Sequence, residues 1–312
     1  MYFLCYVPFT ALTKALSSGL VPGLPAVDGA AILPASTAAS VVVTFVFLFA
    51  SGWWRDAGQV QLGGLSLPAP SRWTALSGAC TAVILVTATL AYTFEGVSIV
   101  FAMLLMRGGV LAIAPVVDLL SHKRPRPAAW IALALCGLAL IVATSEVKGF
   151  GLSVPAGIDI GLYLAAYFVR LRLIDRLGKA TDPAVTRRYF AEEQLVVAPF
   201  TLVMLGLLAF WGEGALMTQL HDGFTGGVTG LALILALLIG AFSQGTGIFG
   251  TLIFLDPRES SFAVPVNRSA SVLAGVVATT ILALTLGADF PSARELLGAG
   301  LVVLAVVVLS RH

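Results

Sequence analysis

The residues of this chain that could do chemistry are few and sit in unusual company. Lys14, Arg107 and Arg268 fall inside long apolar stretches, as does Asp159, while Glu192 and Glu193 open another. A charge at the centre of a membrane-spanning helix costs about 2.5–3.5 kcal/mol on insertion scales, so it is kept where it faces a partner, a bundle interior or water. Arg107 lies nine residues after Ser98 and Arg268 eight after Ser260, which is about 13 and 12 Å along a helix. A guanidinium there offers a planar fork of donors suited to carboxylate or phosphate. Either the two arginines line one cavity and bind such a ligand, or each is neutralised by an internal acid and holds helices together.

Lys14, twelve residues beyond Tyr2, is too deep in its stretch for easy snorkelling and is a third candidate cation of the cavity. Asn267 is grouped with Arg268 as a substrate contact. The internal acids, Asp159 and the Glu192-Glu193 pair, are candidates for coupling or gating. Glu192 or Glu193 could latch to Arg268 or carry a coupling proton, although acids at the start of a helix also simply favour its positive end. Tyr6, Tyr92, Tyr163 and Tyr167 could stack on a planar ligand. Three deep cations against one deep acid point to an anionic or carboxylate-bearing substrate.

Helices in lipid must position these groups. Of 312 residues, 58% are hydrophobic and 11% charged, with net charge +2, where soluble chains carry about a quarter charged residues. That excludes a free cytosolic enzyme, a disordered chain and a nucleic-acid binder. Cys5, Cys80 and Cys136 are odd in number and lie in apolar runs, so they form no disulfide framework or metal spacing. The sequence calls for no cofactor and no metal.

A span needs about 20 apolar residues, and ten such stretches are expected near 2–20, 30–51, 73–94, 98–120, 127–145, 151–173, 189–211, 227–254, 260–286 and 292–310. The first lacks the basic start and continuous apolar core of a signal peptide, since Pro8 and Lys14 interrupt it, and reads as a retained helix. Thirteen lysines and arginines fall at the even-numbered breaks and the C-terminus, against Lys148 and Arg294 on the other side. The basic side is cytoplasmic, which puts both termini in the cytoplasm. Trp53 and Trp54, beside Arg55, read as interface anchors, and Pro8, Pro115, Pro199 and Pro265 should kink their spans.

Phe101-Ala102-x4-Arg107 recurs as Phe262-Ala263-x4-Arg268, an offset of 161 that also pairs Glu95 with Asp256 and Leu135, Gly137, Leu140 and Val142 with Leu296, Gly298, Leu301 and Val303. Five spans per half is an odd number, so equivalent helices run in opposite directions. The expected fold class is therefore an all-α polytopic membrane protein of ten transmembrane helices in a 5+5 inverted-topology repeat, with repeats at 1–148 and 149–312 in one membrane domain. Inverted repeats are a recurring design of secondary transporters, with the substrate site at the repeat interface.

With these features the chain resembles the drug/metabolite transporter superfamily in its ten-helix, EamA-like form. The resemblance spans nearly the whole chain. Its local marks are Ala91-Tyr92-Thr93-x-x-Gly96, Lys14, and the glycine-rich Leu297-Gly298-Ala299-Gly300-Leu301. It departs where the family commonly has a proline in the fourth helix: here that region reads Arg107-Gly108-Gly109, and the proline follows at Pro115. The resemblance implies movement of a small metabolite or drug through a central cavity by alternating access.

Other motifs fail on context. Gly245-x-Gly247-x-x-Gly250 fits a dinucleotide loop but lies in an apolar span with no strand before it, so it reads as helix packing. Asn267-Arg268-Ser269 is a glycosylation sequon inside a span, and Ala241-x-Ser243-x-Gly245 lacks the first glycine and the strand of a nucleophile elbow. The function expected is a secondary transporter rather than an enzyme, in the cytoplasmic (inner) membrane. Its partners are a small-molecule substrate and membrane lipid, without nucleic acid, and a homodimer is compatible with the sequence. The alternatives are an intramembrane enzyme acting on a lipid-like substrate and a lipid scramblase or channel. Single cysteines in a cysteine-free background test the topology: position 124 should label from the cytoplasm and position 222 from outside, and labelling of both from one side overturns orientation and repeat together.

Overall fold

The computed structural model describes residues 1–62, 64–90, 99–123, 125, 127–143, 154–180, 182–288, 290–291 and 293–310. Helix accounts for 81% of the described residues, which fixes the class as all-α. The apolar stretches are helical: α1 Tyr2–Ser17, α2 Gly29–Ser51, α3 Arg72–Leu90, α4 Ile99–Leu120, α5 Pro127–Ala143, α6 Val154–Leu173, α7 Pro183–Trp211, α9 Gly230–Phe254, α10 Ser260–Leu286 and α11 Ala293–Ser310. Four of them, α2, α7, α9 and α10, are long and apolar enough by length and composition to cross a membrane. The boundary expected between 148 and 149 lies outside the described residues.

Three features depart from expectation. α7 begins at Pro183, with Asp182 Oδ1 accepting from the Ala184 N–H as its cap, so Glu192 and Glu193 lie well inside the helix rather than at its start. The eighth apolar stretch is shorter than expected, and before it runs a separate ten-residue helix, α8 (Ala215–Phe224), amphipathic with Leu216 and Leu220 buried against the bundle. Between α2 and α3 lies an antiparallel hairpin, β1 (Gln59–Leu62) and β2 (Leu65–Pro68), in which Val60 faces Leu67 and Gln61 faces Ser66.

The bundle is turned inside out relative to a soluble protein. Val154, Ile158 and Leu162 of α6 point outward at 52–77% exposure, whereas Asp159, Tyr163, Tyr167 and Arg170 of the same helix are buried. Spacings of four, four and three residues put these polar groups on one helical face. In lipid an outward apolar face costs nothing, and the polar face must find partners inside.

Neighbouring helices come from both ends of the chain. α2 packs on α9 and α3 on α7; α1 touches α9 and α10, as α6 touches α3 and α4; α5 lies against α11. Small residues permit close helix crossings. A Cβ at Gly240 of α9 would fall 2.0 Å from the Ser36 carbonyl oxygen of α2, and one at Gly78 of α3 would meet the Glu193 carbonyl oxygen of α7 at 2.9 Å and Val196 at 2.7 Å. Ser40 of α2 completes the first crossing by donating to the Gly240 carbonyl at 2.9 Å. Gly245 packs in the same way against Cys5 of α1, where an added Cβ would sit 2.6 Å from the sulfur, and Gly250 lies against Tyr2. The glycines resembling a phosphate loop thus serve helix contact at these two positions.

Gly240→Ala and Gly78→Ala should each lower the melting temperature of the purified protein, by the equivalent of roughly 1–3 kcal/mol for overpacking. Gly137→Ala in α5, where an added Cβ meets nothing within 4 Å, serves as the control and should melt like the wild type.

Candidate functional site

The buried face of α6 leads into two polar centres. In the first, Arg170 is 4% exposed and its Nε donates to Glu193 Oε1 of α7 at 2.9 Å, with Nη2 donating to Thr251 Oγ1 of α9 at 3.0 Å. Glu193, at 0% exposure, also accepts from Ser77 Oγ (2.8 Å) and Thr81 Oγ1 (3.2 Å) of α3, and the Tyr189 hydroxyl donates to Ser77 Oγ at 2.7 Å. One ion pair thereby ties four helices together and satisfies both of its charges, which a buried pair requires if it is not to destabilise the fold.

Glu192 does a different job. Its carboxylate accepts from the Gly58 and Ser71 N–H groups, both at 2.9 Å, from Thr74 Oγ1 at 2.7 Å and from Arg188 Nε at 2.8 Å. It fastens the base of the β1–β2 hairpin to α7. Neither glutamate pairs with Arg268, so the latch that the sequence left open as one alternative is not formed: both carboxylates are fully occupied by other partners. Arg170, one of the thirteen basic residues counted around the even-numbered breaks and the C-terminus, is a core residue.

The second centre is built around Arg268 of α10. Its Nη2 donates to the Tyr167 hydroxyl at 2.8 Å, and the guanidinium carbon sits 5.2 Å from the Tyr167 ring centroid. Tyr163, one turn before, lies 4.9 Å from Tyr167 between centroids and shares a hydrogen bond with it. Asn267 is 5% exposed, and its Nδ2 and the Tyr2 ring both border Gly250. Arg268 itself is partly accessible, yet its Nε is enclosed with no hydrogen-bond partner, and no carboxylate among the described residues lies within ion-pair distance of it. The arrangement presents a positive, forked donor framed by tyrosines.

Of the other expected site residues, Asp159 is on the same face of α6, 6% exposed, and its Oδ2 has no partner among the described residues. Arg107 belongs to α4, but its side chain lies outside the described residues, as do Tyr92 and Glu95. Lys14 is a correction: it is exposed in the last turn of α1, which ends at Ser17, not deep within a span. A cation there suits the negative end of the helix. Tyr6 stacks between Tyr2 and Phe9 rather than joining the Arg268 centre.

A third cluster closes the end of the bundle where α4 and α10 meet. Asp118 of α4, 0% exposed, accepts from the N–H groups of Ser260 and Ser261 at 2.8 Å each and from the Ser261 hydroxyl, capping α10 from a different helix. Beside it, Lys179 Nζ donates to the Arg258 carbonyl at 2.6 Å, and Asp175 holds Lys123 at 2.5 Å and Lys179 at 3.8 Å. Burial, opposed by the Asp175 charge, pushes the Lys179 ammonium down to about 8. Burial works to raise the Asp175 carboxyl, but its hydrogen bonds and the two lysine charges hold it below the usual range.

No protein-family model and no curated protein matches the chain. The chain is similar in fold to solved structures, among them a crystal structure. That structure aligns over 99% of this chain and 96% of its own at 15% identity with a TM-score of 0.57, and the likeness is of fold alone.

Arg170→Leu should cost about 3–5 kcal/mol, seen as a large fall in melting temperature, because Glu193 is left charged and buried. Arg170→Leu/Glu193→Leu should recover most of the loss; a double variant as unstable as the single would mean the pair is not the organising contact.

Proposed function

We propose that the protein is a secondary transporter that moves a small organic anion, carboxylate-bearing, across the cytoplasmic membrane by alternating access. The observation that carries this reading is Arg268: a guanidinium inside a lipid-facing bundle, without a carboxylate partner among the described residues, with Nε unused and Tyr167, Tyr163 and Asn267 around it. An ion left uncompensated in that medium is costly unless a ligand of opposite charge completes it. The tyrosine rings offer stacking surface for a planar substrate, and the fork suits a carboxylate.

The packing supports a 5+5 inverted repeat. Pairing α1 with α6, α2 with α7, α3 with α9, α4 with α10 and α5 with α11 turns α2·α9 into α7·α3, α1·α9 into α6·α3, and α1·α10 into α6·α4, and each of these contacts exists. The two glycine crossings, Gly240 on α2 and Gly78 on α7, are equivalent under the same exchange. α8 stands outside it. In this reading Arg107 is the counterpart of Arg268, both termini are cytoplasmic, and the Asp118–Ser260–Lys179 cluster is a cytoplasmic closure between the halves. The drug/metabolite transporter resemblance of the sequence agrees with this architecture.

A thermal-shift screen of the purified protein against carboxylates, zwitterions and cations should show stabilisation by carboxylates. Arg268→Ala should then weaken the affinity by roughly 1.5–3 kcal/mol, the range for a hydrogen bond to a charged group. Arg268→Lys should restore only part of it. A folded Arg268→Ala protein with unchanged affinity for every stabilising ligand sinks the assignment.

A further inference from the structure

Among the described residues, two ionisable groups inside the bundle are left without compensation, Arg268 and Asp159. The other buried charges among the described residues have an answer: Arg170 has Glu193, Glu192 has Arg188 and three further donors, and Asp118 has the start of α10. Asp159 is 6% exposed with Oδ2 unpartnered. It lies eight residues before Tyr167 on the same face of α6, about 12 Å along the helix. Tyr163 stands midway, hydrogen-bonded to Tyr167, and Tyr167 accepts from Arg268. A single polar line thus runs from the free acid to the free cation.

The helices packed on α6 bring few other ionisable groups. α3 carries Arg72 at its start and Cys80 at the level of Arg170 and Glu193; α4 carries Asp118 at the opposite end of the bundle and Arg107, whose side chain is outside the described residues. On α6 itself, Arg170 is paired and Arg172 follows it near the helix end.

We infer that Asp159 is the proton-binding site of the transporter, and that the protein is a proton–monocarboxylate symporter in which Asp159 takes up one proton when Arg268 takes up one anion. This rests on the proposed anion site and follows from charge neutrality in a medium of low dielectric. Among the described residues, the uncompensated groups of the empty carrier are Arg268 as the cation and Asp159 as the carboxylate, net zero. The fully loaded carrier holds cation, bound anion and neutral acid, again net zero. Either ligand alone leaves one net charge in the core, which is the costly state. The coupling is therefore a property of the pair: an anion at Arg268 removes the positive field that favours the Asp159 carboxylate, and a proton on Asp159 removes the negative field that opposes the anion. By linkage each raises the affinity for the other equally. The balance is one proton and one monoanion entering from one side and leaving to the other, with no covalent step and no net charge moved.

Benzoate, a planar monocarboxylate, is the probe. Purified full-length protein in lightly buffered detergent near neutral pH should take up about one proton per benzoate bound, read with a pH indicator. Asp159→Asn should bind benzoate without uptake, Asp159→Glu should keep the uptake, and Glu192→Gln should leave it unchanged. In liposomes, benzoate–benzoate counterflow reports the carrier alone, and accumulation driven by an imposed pH gradient reports the coupling. Asp159→Asn should retain counterflow and lose accumulation at least tenfold. Binding without proton uptake in the wild type, or uptake surviving in Asp159→Asn, overturns the coupling while the anion site stands. A wild type that neither binds benzoate nor any other monocarboxylate of the screen overturns the anion site and the coupling with it. Should Asp159→Asn fail to fold, the proton count on the wild type and on Asp159→Glu decides.

Discussion

Charge in hydrocarbon must be answered, and the interior of this protein is organised by how each charge is answered. The Arg170–Glu193 pair is the clearest case: one salt bridge, enclosed from solvent, draws in Ser77, Thr81, Thr251 and Tyr189 and so fixes α3, α6, α7 and α9 against one another. In water such a pair would contribute little. Between helices whose outer faces are already at home in lipid, association is left to packing and interhelical hydrogen bonds, so a doubly satisfied ion pair becomes a fixed point.

The same rule separates scaffold from site. Glu192 and Glu193 have every oxygen engaged, and their roles are mechanical: one moors the β1–β2 hairpin, the other the core. Arg268 and Asp159 keep unused donor and acceptor atoms in the interior. A protein that spends so many hydroxyls on completing Glu193 leaves these two incomplete at a cost in stability, which is the pattern of a site reserved for a ligand.

Much of the fold was legible in the sequence because lipid imposes a simple demand: about 20 apolar residues per crossing and basic residues in the gaps. The helix bounds at Gly29–Ser51 and Ser260–Leu286 fall within a residue of expectation. α8 escaped because ten amphipathic residues resemble a loop when judged by hydropathy alone. The hairpin was readable in principle, since Gln59-Val60-Gln61-Leu62 alternates and is followed by two glycines. For the site, Arg268, Asn267 and Asp159 were visible as polar residues in apolar runs. Arg170 was not, because Arg172 and Arg176 follow it closely and drew it into a basic boundary. The signal that would have found it is the period of α6, Asp159, Tyr163, Tyr167, Arg170, a polar stripe on a helix otherwise apolar. Lys14 misled for the opposite reason: the apolar character continues past it to Leu20, but the helix stops at Ser17.

The glycine crossings bear on how the chain is made. Gly240 of α9 closes on Ser36 of α2 some two hundred residues earlier, and Ser40 of α2 finds its second acceptor only at the Gly240 carbonyl. While the ribosome is still producing the middle of the chain, α2 has no α9 to meet. Its Ser36, Ser40 and Thr44 face must wait beside the insertion machinery or a lipid-facing neighbour until the last third emerges. Premature termination after α7 would therefore yield an inserted but unassembled fragment, a natural substrate for membrane quality-control proteases rather than a folded half.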